Sequence, residues 1–84
     1  MNAKQARTLE AIFADPVRSG PYWRDILALF KAPGAEVRQG DGSRIRVRLN
    51  GVRAMFHEPH PEKTTGKGAV KSVRLFLESV GITP

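Results

Sequence analysis

The sequence predicts an α+β domain in which two helices precede a three-stranded antiparallel sheet and a third helix follows it. The helices are expected to cover one sheet face and leave the other open. Three observations lead there. Residues Arg44 to His57 alternate arginine with aliphatic side chains, pause at Asn50-Gly51 and return. Apolar residues recur at helical spacing on both sides of that stretch. The turn cluster Gly40-Asp41-Gly42-Ser43 sets a further short alternating segment in front of it.

Taken in order, Ala3 to Ala14 reads as an amphipathic helix with Leu9, Ile12 and Phe13 on one side. Asn2 and Gln5 are arranged as a capping pair, and Asp15-Pro16 is the stop. Val17 to Gly20 is a connector. Pro21 suits the first turn of a second helix, along which Trp23, Ile26, Leu27 and Phe30 recur up to Ala32, before Pro33-Gly34 ends it. Ala35 to Gln39 alternates as a first strand, Ala35 and Val37 inward, Glu36 and Arg38 outward.

The next two strands form a hairpin whose register the turn dictates. Asn-Gly suits a two-residue type I′ turn because both central residues take positive φ. Counting outward, Leu49 faces Val52, Val47 faces Ala54 and Ile45 faces Phe56, while Arg48 faces Arg53, Arg46 faces Met55 and Arg44 faces His57. One face is apolar and the other cationic. Charged strand residues can simply discourage edge pairing, but solubility alone would be met by mixed signs, and every charge here is positive. Such a face suits a polyanion, nucleic acid first.

Glu58 to Gly68, with its prolines, glycines and lysines, reads as an ordered-to-mobile surface loop. From Ala69, Val70, Val73, Leu75, Phe76, Leu77 and Val80 mark a third helix, closed by Gly81 as a left-handed cap with Ile82 behind it. Trp23, Phe30, Phe56 and Phe76 lie on apolar stripes and are expected in the core. Tyr22 and Met55 are left as candidates for stacking on a base.

Length and charge narrow the functional classes. Eighty-four residues hold one domain and one modest core. The expected organisation is a single domain over residues 1–84, with 1–16 an additional N-terminal helix. A net charge of +6 and a pI near 10.6 imply anionic partners. No apolar run could span a bilayer, and the first residues lead into an amphipathic segment instead of a signal-peptide core. No membrane partner is expected, and the chain reads as cytoplasmic. With no cysteine there are no disulfides, thiolate nucleophiles or cysteine zinc sites. His57-Glu58-Pro59-His60 is not a convincing metal pair, because proline breaks helical spacing and no third histidine exists. No metal and no cofactor are expected. The carboxylates are scattered, and no phosphate-binding nucleotide loop is present.

Several features combine into a resemblance. A helix ends in glycine before a strand, Gly42-Ser43 opens strand two, and His60 lies in a basic loop. Lys67-Gly68-Ala69-Val70-Lys71-Ser72-Val73 opens the last helix and Gly81-Ile82 ends it. In this order, over Trp23 to Ile82, the chain resembles the HicA toxins of bacterial type II toxin–antitoxin modules. That resemblance implies a double-stranded-RNA-binding-domain-like fold of order α-α-β-β-β-α. It also implies ribosome-independent cleavage of mRNA, and neutralisation by a HicB-like antitoxin that covers the active site. The catalytic histidine of that family usually follows the Gly-Ser pair. Arg44 stands there in this chain.

Metal-independent RNA cleavage needs a base near the 2′-hydroxyl, an acid near the leaving oxygen and cations around the phosphorane. Arginine cannot be the base, but it can clamp phosphate. His57, opposite Arg44, can take the acid–base role from the neighbouring strand. The expected catalytic pair of this endoribonuclease is therefore His57 and Arg44. The expected RNA contacts are Arg46, Arg48 and Arg53 on the sheet, with Lys67 and Lys71 where the amides and dipole of the last helix favour phosphate. Lys63 is as well explained as a solvated loop lysine. Two other functions stay open on the same fold, a non-catalytic RNA-binding module and a domain that docks a protein partner.

Overall fold

The computed structural model describes residues 1–84. Its elements are α1 (Ala3–Ile12), α2 (Trp23–Lys31), β1 (Glu36–Gln39), β2 (Arg44–Leu49), β3 (Val52–His57) and α3 (Lys67–Ser79). The strands form one antiparallel sheet in the order β1-β2-β3. The fold is α+β, consistent with a double-stranded-RNA-binding-domain-like layout.

The β2–β3 turn falls at Asn50 and Gly51, with φ of 51° and 78°. Both are in the left-handed region that a type I′ turn demands. All six expected cross-strand pairs are present, from Leu49 and Val52 at the turn to Arg44 and His57 at the open end. Ile45, Val47, Leu49 and Phe56 are buried, Val52 and Ala54 half-buried, and Arg44, Arg46, Arg48, Arg53 and His57 exposed. The period of two has sorted the hairpin into an apolar and a cationic face.

Helices cover the apolar face, α2 packing on β1 and α3 on β3, with α1 against both α2 and α3. Phe56 from the sheet is the hinge of the core. Its ring stacks on Phe30 from α2 at 5.6 Å and meets Trp23 and Phe76 edge-on at 6.0 and 5.9 Å. Such offset and edge-to-face contacts add to the area that each ring removes from water. Leu29, absent from the expected stripe, is fully buried beside Ile26 and Phe30. Leu75, expected on the α3 stripe, is instead 58 % exposed. At about 100° per residue it lies two positions off the inward line through Val73 and Leu77.

The helix ends show how distant residues act on local signals. At the start of α1, Asn2 Oδ1 accepts from the Gln5 amide at 2.8 Å and Gln5 Oε1 accepts from the Asn2 amide at 3.0 Å, a reciprocal capping box. Its other end comes two residues before the expected Ala14. Arg74 of α3 donates to the Ile12 carbonyl at 3.0 and 2.9 Å and to Ala14 at 2.6 Å, satisfying carbonyls that a longer helix would have left to water. The same guanidinium lies 5.6 Å from the centre of the Phe13 ring. At the end of α3 the Ile82 amide donates to Leu77 and the Gly81 amide to Glu78, with Gly81 at φ 79°, which is a Schellman motif.

One expectation around α2 needs correction. Pro21 lies outside the helix, which starts at Trp23 with Tyr22 as its N-cap. The reason is a short extended pairing with the loop after β3. The Trp23 amide donates to Lys63 at 2.9 Å, the Thr65 amide to Pro21 at 2.8 Å and the Gly20 amide to Thr65 at 3.0 Å. The second half of the Glu58–Gly68 stretch is therefore pinned, and Thr65 is 1 % exposed. Backbone groups taken out of water need partners, and here each segment supplies the other's.

Candidate functional site

The open sheet face is built in rows. Ile45 to Arg48 of β2 have a neighbour on both sides, so Glu36, Arg48 and Arg53 form one row across the three strands and Arg38, Arg46 and Met55 the next. Arg44 and His57 form the last, at the open end of the hairpin. Hydrogen bonding divides the two faces as well. Ser43 accepts from the Glu58 amide and Arg44 accepts from Gly40 of the first-strand side. Arg44 and His57 are thus a non-hydrogen-bonded pair, the kind whose Cα atoms approach to about 4.5 Å and whose side chains are closest. The geometry brings an imidazole beside a guanidinium on one exposed surface.

Glu36 modifies the field. Its carboxylate binds Arg48 at 2.6 Å and Arg38 at 3.0 Å. The hydrogen bond from Arg38, reinforced by the charge of Arg48, holds the Glu36 carboxyl below its ordinary 4.5. Arg44, Arg46 and Arg53 form no ion pair. The face therefore grades from a partly neutralised edge at β1 to free cations at β3 and the hairpin's open end. Met55 presents an apolar patch among them, 51 % exposed. A shallow groove of about 650 Å³ runs over this face, lined by Glu36, Arg38, Arg46, Arg48, Arg53 and Met55. It offers forked donors for anionic oxygens and an apolar surface for a ring, while Arg44 and His57 lie beyond its lining at the open end of the hairpin.

The other candidates lie elsewhere. Lys67 and Lys71 are exposed at the start of α3, whose N-cap Gly66 offers no side-chain bond. Because α3 packs on the covered side of the sheet, these lysines make a second basic surface, separate from the arginine rows. His60 is not on the sheet. It lines a cleft between the start of α2 and the loop after β3, together with Tyr22, Trp23, Arg24 and Lys63. No group of three histidine, cysteine, aspartate or glutamate side chains lies close enough together to hold a metal ion.

Arg38 and Glu36 are members of the face that sequence reasoning did not assign to the site. Alternation along β1 had placed both outward, but the connection through Gly40 to Ser43 does not dictate a register as Asn-Gly does. Which β2 residues they meet was therefore not readable from the chain.

The fold and site define the class: a small α+β domain with a one-sided helical cover and an exposed cationic sheet face. Within that class the family is shown: residues 23–82 match the model of the HicA toxin of bacterial toxin–antitoxin systems, and the chain belongs to that family. No curated protein and no solved structure matches it. The match leaves α1 outside, yet Leu9 and Ile12 of α1 are buried in the same core as the residues of the matched part. The protein is thus a toxin of a toxin–antitoxin system, with an antitoxin as its partner, and it has no helix long and apolar enough to cross a membrane.

Proposed function

We propose that the protein is a metal-independent endoribonuclease that cleaves mRNA bound across the arginine face, and that a HicB-like antitoxin with an acidic surface covers this face to silence it. The observation that carries the reading is the pairing of His57 with Arg44 at the free end of that face. In the proposed reaction the His57 imidazole takes the proton of a 2′-hydroxyl, and the 2′-oxygen attacks the adjacent phosphorus. The bond to the 5′-oxygen breaks, and that oxygen leaves as a hydroxyl once a proton is returned to it. The products are a 2′,3′-cyclic phosphate and a 5′-hydroxyl end. Arg44 holds the non-bridging oxygens as charge builds on them, and Arg46, Arg48 and Arg53 position the flanking phosphates. Lys67 and Lys71 give a second phosphate contact at the α3 terminus.

Incubation of the purified protein with a defined RNA in the presence of a chelator tests this. Cleavage with cyclic phosphate ends supports it, and intact RNA overturns it. The resemblance also favours a second reading. With Arg44 at the position after Gly42-Ser43 where the family resemblance implies a catalytic histidine, the same face would bind RNA without cutting it. Salt-dependent binding to uncleaved RNA selects that alternative.

A further inference from the structure

The cleft beside His60 is absorbed neither by the arginine face nor by the lysines of α3. It is an open cleft of about 650 Å³ between the first residues of α2 and the loop that follows β3. Its floor is held in place by the backbone bond from Trp23 to Lys63, so the two walls have a fixed spacing. Tyr22, 48 % exposed, presents an aromatic ring that carries the Arg24 guanidinium 5.3 Å from its centre. Trp23 forms part of the wall and is 4 % exposed, and its indole N–H is buried without an acceptor.

The charge of this cleft differs from that of the sheet. Arg24 and Lys63 on its rim are balanced by Glu58 and Glu62. A phosphate has no reason to choose it over rows of free arginines. A neutral planar ring does, because Tyr22 offers a stacking face, the carboxylates accept from exocyclic amino groups, and Lys63 and His60 can donate to ring carbonyls. Position adds to chemistry. Glu58, where the cleft begins, follows His57 directly, and its amide is bonded to Ser43, the residue before Arg44.

We propose that this cleft is a nucleobase subsite, taking the base of a ribonucleotide next to the phosphodiester held at Arg44 and His57. The inference rests on the RNA reading above and adds to it a place where base identity is read. Tyr22 is the stacking residue, and Glu58 and Glu62 are the acceptors that discriminate among bases.

Trp23 is the only tryptophan, so its indole N–H gives a single resonance at the cleft wall. In a titration of the full chain with each of the four ribonucleoside 5′-monophosphates, that resonance shifts saturably. Ribose 5-phosphate, which lacks the base, leaves it in place. Tyr22→Ala weakens the response about ten- to a hundredfold, the loss of one base–aromatic stack, and Tyr22→Phe retains it. Equal response to ribose 5-phosphate, no saturable response, or an unchanged response in Tyr22→Ala overturns the subsite. The underlying reading fails separately. If Arg46→Gln with Arg48→Gln binds RNA as tightly as the parent protein, the arginine face is not the RNA site, whatever the indole resonance does.

Discussion

The two faces of the β2–β3 hairpin are made by the same fourteen residues and obey different rules. On the covered face each side chain is constrained by its neighbours, with Phe56 in contact with rings from two helices and Ile45, Val47 and Leu49 shut from water. On the open face Arg44, Arg46 and Arg53 are exposed and form no ion pair, and folding would accept many other polar residues there. Like charges set opposite each other, as Arg48 and Arg53 are, cost stability. A cationic surface that folding does not require is the part of the hairpin that calls for a functional explanation, whereas the apolar face is explained by the core alone.

The sharpest way to break this contrast is from the covered side. Phe56→Ala removes the ring that joins both helices to the sheet and should cost about 3–5 kcal/mol in a denaturant titration. A loss well under 1 kcal/mol would mean that the aromatic cluster does not hold the layers together. On the open side, His57→Ala should lower cleavage about 10²- to 10⁴-fold while leaving RNA and antitoxin binding nearly intact, whereas Arg44→Ala should weaken both cleavage and RNA binding. If His57→Ala stays fully toxic in cells while His60→Ala does not, the chemistry belongs to the cleft and not to the sheet.

Smaller effects sharpen the gradient across the open face. Replacing Arg46 and Arg48 together by glutamine should change stability by no more than about 0.5 kcal/mol. It should also flatten the salt dependence of RNA binding by about 1.4 log units per decade, two single-strand phosphate contacts. An unchanged slope in a folded protein would remove these arginines from the interface. Glu36→Gln should act in the opposite direction, tightening RNA binding at low salt by freeing Arg38 and Arg48. Its pH signature is small and has a definite sign. Because the folded carboxyl sits below 4.5, whatever stability the ion pairs confer is present above that pH and is lost as pH falls through the lower folded value. Acid titrations of the parent and of Glu36→Gln should converge at the acid end, and a difference that grows on acidification would contradict the pairing.

What could be read from the chain alone follows the reach of local interactions. Asn50-Gly51 and a period of two settled the hairpin register and so placed His57 opposite Arg44, since counting outward from a two-residue turn needs no other partner. Asn2 with Gln5, and Gly81 with Ile82, likewise announced their caps from residues within a turn of each other. The tertiary structure decided the rest. Arg74 caps the end of α1 from sixty-two positions away, the Gly20–Trp23 segment finds its partner in Lys63–Thr65, and Glu36 meets Arg48 only because the β1–β2 connection closes as it does. Each of these brings together polar groups distant along the chain, and hydrogen bonds of that kind leave no periodicity in the sequence. The cleft between α2 and the loop is of the same origin, because its walls come from two segments that meet only once the core has closed beneath them.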